Sequence, residues 1–587
     1  MSVLNENQLL GASGAGTGDY EIEQSLRFND NDSAYLSRTL STPTNRDIYT
    51  YSSWVKRGVV GSAQYMFFGY SANNDQNFTA LFFESNDTLK VGGYSDDMLV
   101  STQLFRDPSA WYHIIMSVDT TQSTQSNRIK MYVNGEAMPY TVAGSFPTQN
   151  EDTGINGAHT HSISGRQPFD SAYPFDGYLA EVNFIDGQAL TPDNFGETGT
   201  YGEWRPTKYA GTYGTNGFYL KFENASSLGN DAAGSNNWTP SNLAATDQMV
   251  DSPTNNFCTL NPLDKVDSVL AEGNLKATGA GDSFDTVRST FAMPYGSWYA
   301  EFYCKAGSAN GNNHVGISTQ SEALSGISGS NFLGSSSTSW SYSDNGNVYS
   351  GGSVVNSTGT TWTAGDIIGV TFTGTALKFY KNNSLIATVS SIPVNDYCFT
   401  STSYSTSMSM IADFGSDSSF AGNKTPQGNQ DANGIGDFYY APPTGYLALC
   451  TANLPDVDVI PSEHFNTVLY TGTGSSNAVS NLGLAPDFVW IKNRGRAQSN
   501  VLHDTVRGAT GGEAYLLKSD STDAETTFDG FGLTTFDTDG FTVIGNGGLT
   551  NLTNDTYVAW NWKAGGSAVS NTNGTINSIV SANPSAG

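Results

Sequence analysis

Charged residues are scarce in this 587-residue chain, where Asp, Glu, Lys and Arg together make up 14%. A composition so poor in charge disfavours long solvated helices, which carry a polar face. The chain instead contains 64 Gly, 30 Tyr and 31 Phe, a mixture typical of short strands joined by tight turns. Because 587 residues exceed one ordinary core, we expect several all-β domains.

Basic residues are few as well, with 26 Lys and Arg against 55 Asp and Glu and a formal net charge of −29. An acidic surface repels phosphate backbones, and no basic stripe with interleaved aromatic residues occurs, so nucleic acid is excluded as a partner. Anionic membranes are disfavoured for the same reason. The acidity fits a soluble particle that avoids non-specific adhesion, or carboxylates that bind calcium.

The chain has four cysteines, and they show neither a CxxC motif nor the spacing of a metal site. Cys304 and Cys398 fall within one predicted domain, where a disulfide between them is one alternative. We favour the other interpretation, in which all four are buried free thiols.

The sequence shows no pattern typical of a targeting segment or a membrane-spanning segment. The first 24 residues contain neither a basic region nor an apolar stretch of the secretory type. No apolar run approaches the roughly 18 residues of a transmembrane helix. We therefore expect synthesis in a cytoplasm without signal-directed export, and no membrane insertion.

The first half of the chain contains an ordered set of strand motifs. They are WYHIIMSVD (Trp111–Asp119), NRIKMYVNGE (Asn127–Glu136), SISGRQ (Ser162–Gln167) and FDGYLAEVNFIDGQALTPDNFGE (Phe175–Glu197). In this order they resemble the laminin-G/pentraxin family of concanavalin A-like lectin sandwiches. The resemblance implies a β-sandwich over residues 25–250 that presents a binding surface.

Four further motifs occur in order between residues 281 and 421. They are GSWYAEFYCKA (Gly296–Ala306), HVGIS (His314–Ser318), the hairpin of Thr363–Val389, and IADFGSDSSF (Ile411–Phe420). Together they resemble the SPRY family, which implies a bent sandwich. Asn382–Asn383 stands at the hairpin turn where the family has Asn-Gly, and Asn tolerates the left-handed conformation that the turn requires.

A third β-rich pattern covers residues 447–566. Its strand motifs lie in Ala485–Gly508, Asp539–Gly545 and Asn554–Gly566. The set looks like a domain that recurs in the tail and appendage proteins of bacteriophages, often beside the two preceding modules.

The remaining segments are rich in Gly, Asn, Ser and Pro. Residues 1–24 are either a disordered terminus or a docking arm that orders on a partner. We interpret residues 251–280 and 422–446 as linkers and residues 567–587 as a low-complexity tail. The predicted fold class is therefore all-β, with tandem antiparallel jelly-roll sandwiches joined by linkers. The tail ends without a strand or cap, so a further unit is expected to follow.

Glycosidase activity is one candidate function, because concanavalin-type sandwiches include glucanases. A retaining glycosidase needs two carboxyl groups about 5–5.5 Å apart, and lectin-fold glucanases carry them on one strand face. Here Glu181 is followed by the amide of Asn183, so we interpret Glu181 as a structural acid and expect no enzyme activity. The pair His159 and His161 is interpreted as part of a plain loop.

A metal site is an alternative at the loop from Asn29 to Ser33, which is rich in oxygen ligands. Asp30 and Asp32 are the candidate calcium ligands. Asx-rich turns also form for backbone reasons alone, so a purely structural loop is the other interpretation. No cofactor is required by either.

Aromatic residues offer a second route to recognition, because sugars present apolar C–H faces that stack on Trp and Tyr rings. In the SPRY-like domain we propose Trp340 and Tyr342 as stacking residues, with Asp344 and Asn345 binding hydroxyls. Since Trp340 and Tyr342 share one strand face, the alternative is that one of them belongs to the core.

A chain with three such modules, an N-terminal arm and no export signal resembles the virion appendages of bacteriophages, such as tail fibres. That resemblance implies a non-enzymatic virion protein, made in the host cytoplasm and released with assembled particles. It would bind other virion proteins through its arm, attach to a host-surface glycan or protein, and form a homo-oligomer, most simply a trimer. The alternatives are a purely structural capsid or tail decoration protein and a polysaccharide depolymerase.

Overall fold

The computed structural model confirms the all-β prediction, since 44% of the chain is strand and 4% is helix. It describes residues 20–70, 78–93, 97–166, 172–199, 201–293, 295–455, 460–510, 513–527, 530–564, 569–572 and 574–580. Most of the predicted arm and several residues of the predicted tail lie outside these ranges. Among the helices within them, none has the length and apolar character to cross a membrane.

Short 3₁₀ turns are the helical elements. They are Asp30–Asp32, Gln125–Asn127, Pro192–Asn194, Ala245–Asp247, Leu324–Gly326, Thr451–Asn453 and Pro461–Glu463.

The first sandwich is formed by strands β1 to β18. They are β1 (Ser25–Phe28), β2 (Tyr35–Thr39), β3 (Ile48–Arg57), β4 (Gln64–Tyr70), β5 (Phe78–Phe83), β6 (Thr88–Gly92), β7 (Asp97–Leu104), β8 (Trp111–Asp119), β9 (Ile129–Val133), β10 (Glu136–Ala137), β11 (Tyr140–Val142), β12 (Thr160–Ile163), β13 (Gly177–Asp186), β14 (Gly196–Thr198), β15 (Trp204–Pro206), β16 (Phe218–Leu220), β17 (Thr239–Ser241) and β18 (Gln248–Met249).

Two antiparallel sheets face each other in this sandwich. One has the order β10-β9-β8-β3-β13-β1-β18, with β16 also paired to β13, and the other has the order β11-β7-β6-β5-β4-β12-β2-β17. The closing strand β13 points Leu179, Val182 and Phe184 into the shared core. A bulge between Ala180 and Asn183 shifts its register, which keeps both Leu179 and Val182 on the core face.

The second sandwich is formed by strands β19 to β33. They are β19 (Leu260–Val266), β20 (Val269–Ala271), β21 (Lys276–Thr278), β22 (Asp285–Ser289), β23 (Trp298–Ala306), β24 (Asn313–Thr319), β25 (Ser339–Ser343), β26 (Asn347–Ser350), β27 (Ser353–Ser357), β28 (Ile367–Phe372), β29 (Leu377–Lys381), β30 (Ser384–Val389), β31 (Tyr397–Ser403), β32 (Ser409–Asp413) and β33 (Leu447–Ala448).

Its sheets have the orders β19-β22-β31-β24-β25-β26-β27 and β20-β21-β32-β23-β28-β29-β30, with β33 added to β23 in parallel. The predicted hairpin turn between β29 and β30 is confirmed. Asn382 and Asn383 both have left-handed backbones, with φ of 46° and 68°. Asparagine therefore performs the role that Asn-Gly usually has in such turns.

Both segments interpreted as linkers are instead structured parts of the second sandwich. Residues 251–280 contribute β19, β20 and β21. In residues 422–446, Phe438 is fully buried against Tyr299 of β23, with ring centroids 5.2 Å apart. The Gly, Asn and Pro content of these segments reflects tight turns between packed pieces, which composition alone does not distinguish from a free linker.

The two sandwiches belong to one compact unit, which comprises residues 1–199 and 203–454. A buried lysine joins them: Lys56 Nζ of β3 donates to Asp251 Oδ2 at 2.7 Å, to Asn256 Oδ1 at 2.7 Å and to the Phe257 carbonyl at 2.8 Å. The indole of Trp111 donates to the other oxygen of Asp251 at 3.2 Å. Each polar group of this junction is thus paired with one from across the boundary.

A second ion-pair cluster joins the same two sandwiches. The buried guanidinium of Arg27 in β1 contacts Asp417 at 2.9 Å and Asp247 at 3.0 Å. The end of the predicted arm is anchored beside it, because Ile22 is buried and its N–H donates to Thr254 at 3.1 Å. Residues 20–24 are therefore part of the packed unit.

The third β-rich region belongs to a separate compact unit, residues 200–202 with 455–587. Its strands are β34 (Phe465–Thr471), β35 (Asn477–Val479), β36 (Phe488–Asn493), β37 (Val501–Asp504), β38 (Ala509–Thr510), β39 (Glu513–Ala514), β40 (Leu517–Lys518), β41 (Gly532–Asp537), β42 (Gly540–Ile544), β43 (Thr556–Trp562), β44 (Val569–Asn571) and β45 (Ser578–Val580). The main sheet has the order β34-β43-β36-β37-β40, and a three-stranded sheet has the order β35-β42-β41.

The four cysteines, Cys258, Cys304, Cys398 and Cys450, are buried and free. This confirms the thiol interpretation, and the alternative disulfide between Cys304 and Cys398 is not formed. Burial raises the pKa of the Cys304 and Cys398 thiols to about 12, which keeps them protonated and unreactive.

The junction at Lys56 makes a testable prediction for stability. Lys56→Met removes one partner of a buried ion pair and leaves Asp251 charged and incompletely paired, so we expect a loss of about 3–5 kcal/mol in unfolding free energy. Urea denaturation followed by tryptophan fluorescence measures it. The matched control, Lys130→Met at an exposed lysine of β9, should change stability by less than about 0.5 kcal/mol. Equal stability of the two variants would contradict the prediction.

Candidate binding surface

The two rings predicted to stack on sugars lie in the interior of the second sandwich. Trp340 and Tyr342 of β25 are both buried and belong to its hydrophobic core. Trp340 packs edge-on against Tyr397 at 5.9 Å, and Tyr342 packs on Phe379 at 5.6 Å. The alternative, that the shared strand face is a core face, therefore applies to both residues, and the stacking assignment is corrected.

The polar residues proposed beside them have structural partners. Asp344 is fully buried, and its carboxylate accepts the N–H groups of Asn312 at 3.1 Å and Asn313 at 3.2 Å. Asn345 accepts the N–H of Asn347 at 3.0 Å within the β25–β26 turn. Asp344 thus fixes a loop, and its burial does not suit a ligand contact from solvent.

The candidate calcium ligands lie on the 3₁₀ turn after β1. Asp32 accepts a hydrogen bond from the Asn29 amide at 2.8 Å, and burial raises the pKa of Asp30 above its ordinary value. Within the described residues, no three or more His, Cys, Asp or Glu side chains are grouped so that they could hold a metal ion. Calcium at this loop stays a prediction.

Glu181, at the bulge of β13, is buried and bonded within the protein. It accepts a hydrogen bond from Tyr20 at 2.8 Å and another from Tyr219. Burial raises its pKa to about 7. This environment fits the structural acid that the sequence predicted. His161 differs from its prediction, because it lies in strand β12 and not in a loop, with its ring stacked on His159 at 5.1 Å.

Two carboxyl groups lie side by side in the second sandwich, at Glu301 of β23 and Asp413 of β32, which are direct register partners. Both are fully buried. Glu301 accepts the N–H groups of Tyr439 and Tyr440 at 2.8 and 2.9 Å. Burial, followed by the charge of Glu301, raises the pKa of Asp413 well above its ordinary value. Because protein encloses both carboxyl groups, we interpret them as structural residues.

The surface best suited to recognition lies on the main sheet of the third region. Strand β36 alternates, with Val489 and Ile491 buried in the core and Phe488 and Trp490 half-buried on the other side. The neighbouring strand β43 alternates in the same way. We call the outer side of this sheet the tryptophan face, and its residues are Phe465, Leu469, Phe488, Trp490, Leu502, Val558, Trp560 and Trp562.

Strand pairing places the rings of this face next to one another. Trp562 lies opposite Phe465 on one side and Phe488 on the other, with centroid distances of 4.9 and 5.3 Å. Trp490 and Trp560 face each other across β36 and β43 at 5.5 Å. Phe465, Trp562 and Phe488 therefore form a row of rings across three strands, and Trp560 and Trp490 form a pair beside it.

This face remains open at its margin, where Leu469 is 61% exposed and Phe465 is 40% exposed. Large apolar side chains in this state lose contact with water when a ligand or partner covers them. Indole rings also present an N–H group, so they bind surfaces that are partly apolar and partly polar, as saccharides are. The tryptophan face is therefore our candidate binding surface.

The sequence contains a signal for this surface in two of its strands. In FVWIKN and TYVAWNW, aromatic or apolar residues occupy both faces of one strand, whereas a strand with one solvated face carries polar residues there. When a strand is apolar on both faces and only one face packs in the core, the pattern indicates that another molecule contacts the second face.

A smaller aromatic cluster lies on the outer side of the first sandwich. Tyr65 stacks on Phe82 at 4.4 Å and on Tyr173 at 5.4 Å, and the guanidinium of Arg166 lies 5.0 Å from the Tyr173 ring. Tyr65 and Phe82 are buried, and Tyr173 is the exposed ring. One accessible ring offers a smaller contact area than the tryptophan face.

Two family models match parts of the chain. Residues 28–194 match the model described as the concanavalin A-like lectin/glucanases superfamily, which confirms the lectin-like resemblance of the first sandwich. Residues 460–587, which include the tryptophan face, match a model described as a domain of unknown function, DUF7483. The curated proteins include none that matches.

Solved structures resemble the chain over single modules. The SPRY domain of human HERC1 is 18% identical, covers 26% of this chain and 96% of its own, and has a TM-score of 0.23. A carbohydrate binding protein of Bacteroides ovatus, so described provisionally, is 18% identical over 38% of this chain and 58% of its own, with a TM-score of 0.28. A pentraxin of Limulus polyphemus is 20% identical over 29% and 80%, with a TM-score of 0.22.

The carboxyl pair in the second sandwich predicts a pH effect. Because folding raises both pKa values, the folded state retains protons that the unfolded state releases, and stability falls as pH rises through the folded pKa of Glu301, about 7. Asp413→Asn removes one charge and keeps the acceptor oxygen. We expect the loss of unfolding free energy between pH 5 and pH 8 to shrink by about 1–3 kcal/mol.

Urea titrations at the two pH values measure this change. The exposed Asp267→Asn serves as the control in the same sandwich and should leave the pH dependence unaltered. An Asp413→Asn protein with the pH dependence of the unsubstituted chain would rule out a proton held by the pair.

Proposed function

We propose that this chain is a non-enzymatic bacteriophage virion protein, a tail fibre or similar appendage, that attaches to the host surface through its lectin-like modules. The concanavalin A-like fold of the first sandwich supports a binding role. The resemblance of the three modules to virion appendages supports a location on a phage particle. The excess of acidic over basic residues fits such a particle, which must avoid non-specific adhesion. The arm before residue 20 would contact other virion proteins, and the chain would act as a homotrimer.

The tryptophan face of the third region adds a further attachment surface to the lectin-like modules in this proposal. It combines three indoles with two phenylalanine rings on one side of the sheet, as the row Phe465–Trp562–Phe488 and the adjacent pair Trp560–Trp490. A row of rings on rigid strands can stack along several sugar units of a surface polysaccharide at low entropic cost, since the rings are already ordered. Asp504, which strand pairing places opposite Phe488 on this side of the sheet, is paired with Arg507 at 2.5 Å, so the binding of sugars to the rings should not depend on calcium.

The structural alternative draws on the same surface. Leu469 and Phe465 are apolar and exposed at the edge strand β34, a feature that also fits permanent packing against another virion protein. A decoration protein of that kind would bury the tryptophan face in the particle and would bind no glycan. The two functions therefore differ in whether the assembled particle leaves the face accessible.

Substitution of the face tests the proposal. We expect Trp490→Ala with Trp560→Ala to weaken adsorption of the full chain to host cells or host polysaccharide at least tenfold, or about 1.4 kcal/mol, because the central rings are lost. Surface plasmon resonance on immobilised polysaccharide, with and without EDTA, provides the measurement. Tyr295→Ala removes an exposed ring from the other unit and should bind normally.

Circular dichroism must show that the double variant keeps its strands. Undiminished adsorption by a folded double variant would contradict the attachment role of this face. Loss of particle assembly without any glycan or cell binding would favour the decoration protein, and release of reducing ends from the polysaccharide would show a depolymerase.

A further inference from the structure

A groove of about 410 Å³ lies between the two sandwiches of the first unit. One wall is the end of β7, the loop that follows it and the start of β8. The other wall is β19 and the residue after β22. The lining residues are Leu104, Arg106, Asp107, Pro108, Ser109, Tyr112, Asn261, Leu263 and Thr290.

Hydrogen bonds beneath the groove hold its walls in a fixed relation. The side-chain amide of Asn256, in the second sandwich, donates to the Ser109 carbonyl of the first at 2.7 Å. The same Asn256 accepts the buried ammonium of Lys56 at 2.7 Å, and its backbone N–H donates to Thr451 at 2.9 Å. The groove is therefore preformed, which lowers the entropic cost of binding.

Polar side chains on both walls are held in place by hydrogen bonds within the protein. Each of these side chains keeps further polar atoms that can bind a ligand. Arg106 is held through Nε by Asp87 at 3.0 Å, and Asp107 uses Oδ1 to accept the Ser109 N–H at 2.9 Å. Asn261 uses Oδ1 to accept the Leu263 N–H at 2.9 Å. Among the described residues, the terminal guanidinium nitrogens, Asp107 Oδ2 and the Asn261 amide nitrogen have no protein partner.

The rim adds apolar surface, since Leu104 is 44% exposed and Leu263 is 58% exposed. Donors and an acceptor a short distance from apolar side chains suit a molecule that alternates hydroxyl groups with C–H faces. The charge of Arg106 is offset by Asp87 and Asp107, so the groove has no excess positive charge to favour an acidic ligand.

We propose that this groove is a second saccharide-binding site, specific for neutral sugar units, that exists only because the two sandwiches pack together. Arg106 and Asn261 donate to ring hydroxyls, Asp107 accepts from a hydroxyl, and the two leucines cover a C–H face. The inference rests on the proposed attachment function and identifies the ligand class of a separate site, in the other unit from the tryptophan face.

The test uses the full chain that carries Trp490→Ala and Trp560→Ala, so that the contribution of the tryptophan face is reduced at least tenfold. Maltohexaose, cellohexaose and hexa-N-acetylchitohexaose are the neutral probes, and a galacturonic acid hexamer is the acidic one, each titrated by calorimetry. We expect at least one neutral probe to bind and the acidic probe to bind more weakly. Arg106→Gln, Asp107→Asn and Leu263→Ser should each weaken that binding at least tenfold.

These substitutions preserve the surrounding structure. After Arg106→Gln, Asp87 still pairs with Arg57. After Asp107→Asn, the side-chain oxygen at position 107 still accepts the Ser109 N–H. Leu263→Ser changes an exposed side chain. Leu385→Ser, at an exposed leucine of β30, is the matched control and should bind normally.

Binding that survives all three groove substitutions would overturn the proposal, as would a preference for the acidic hexamer or no binding by the tryptophan-face variant. If the unsubstituted chain attaches to cells but the variant binds no hexasaccharide, the groove is overturned and the attachment function stands. If the unsubstituted chain attaches to nothing, both fail.

Discussion

The buried ammonium of Lys56 is the interaction on which the first unit depends. A charge enclosed in protein needs partners for each of its donors, and Lys56 finds three, all on the segment from Asp251 to Phe257. Desolvation makes such a group costly when any partner is missing. The first sandwich therefore cannot separate from the second without exposing or unpairing this centre, and the two modules behave as one body.

The same junction also fixes the geometry of the groove between the two sandwiches. Asn256, which accepts from Lys56, also holds the loop that forms one wall of the groove between the sandwiches. Two sandwiches connected by a free linker would have no such groove. The same packing anchors Ile22 and Tyr20 in the unit.

The third region follows a different principle, because its main sheet has one core and two apolar faces. Val489, Ile491 and Ala559 fill the core, and the aromatic rings of the tryptophan face lie on the other side. A stable sheet does not need the second apolar face, and solvent exposure of that face carries a free-energy cost. Its existence is best explained by a molecule that covers it, whether a saccharide or a neighbouring protein.

Much of this protein was determined by the sequence alone. Strand positions, the all-β class, the Asn382–Asn383 turn, the structural role of Glu181 and the free thiols follow from local periodicity, turn chemistry and residue type, which act over a few positions. The burial of Trp340 and Tyr342 and the ordering of residues 251–280 were decided by tertiary structure. Alternation shows which residues share a strand face, but only the packing of a second sheet or a neighbouring sandwich determines whether that face meets water.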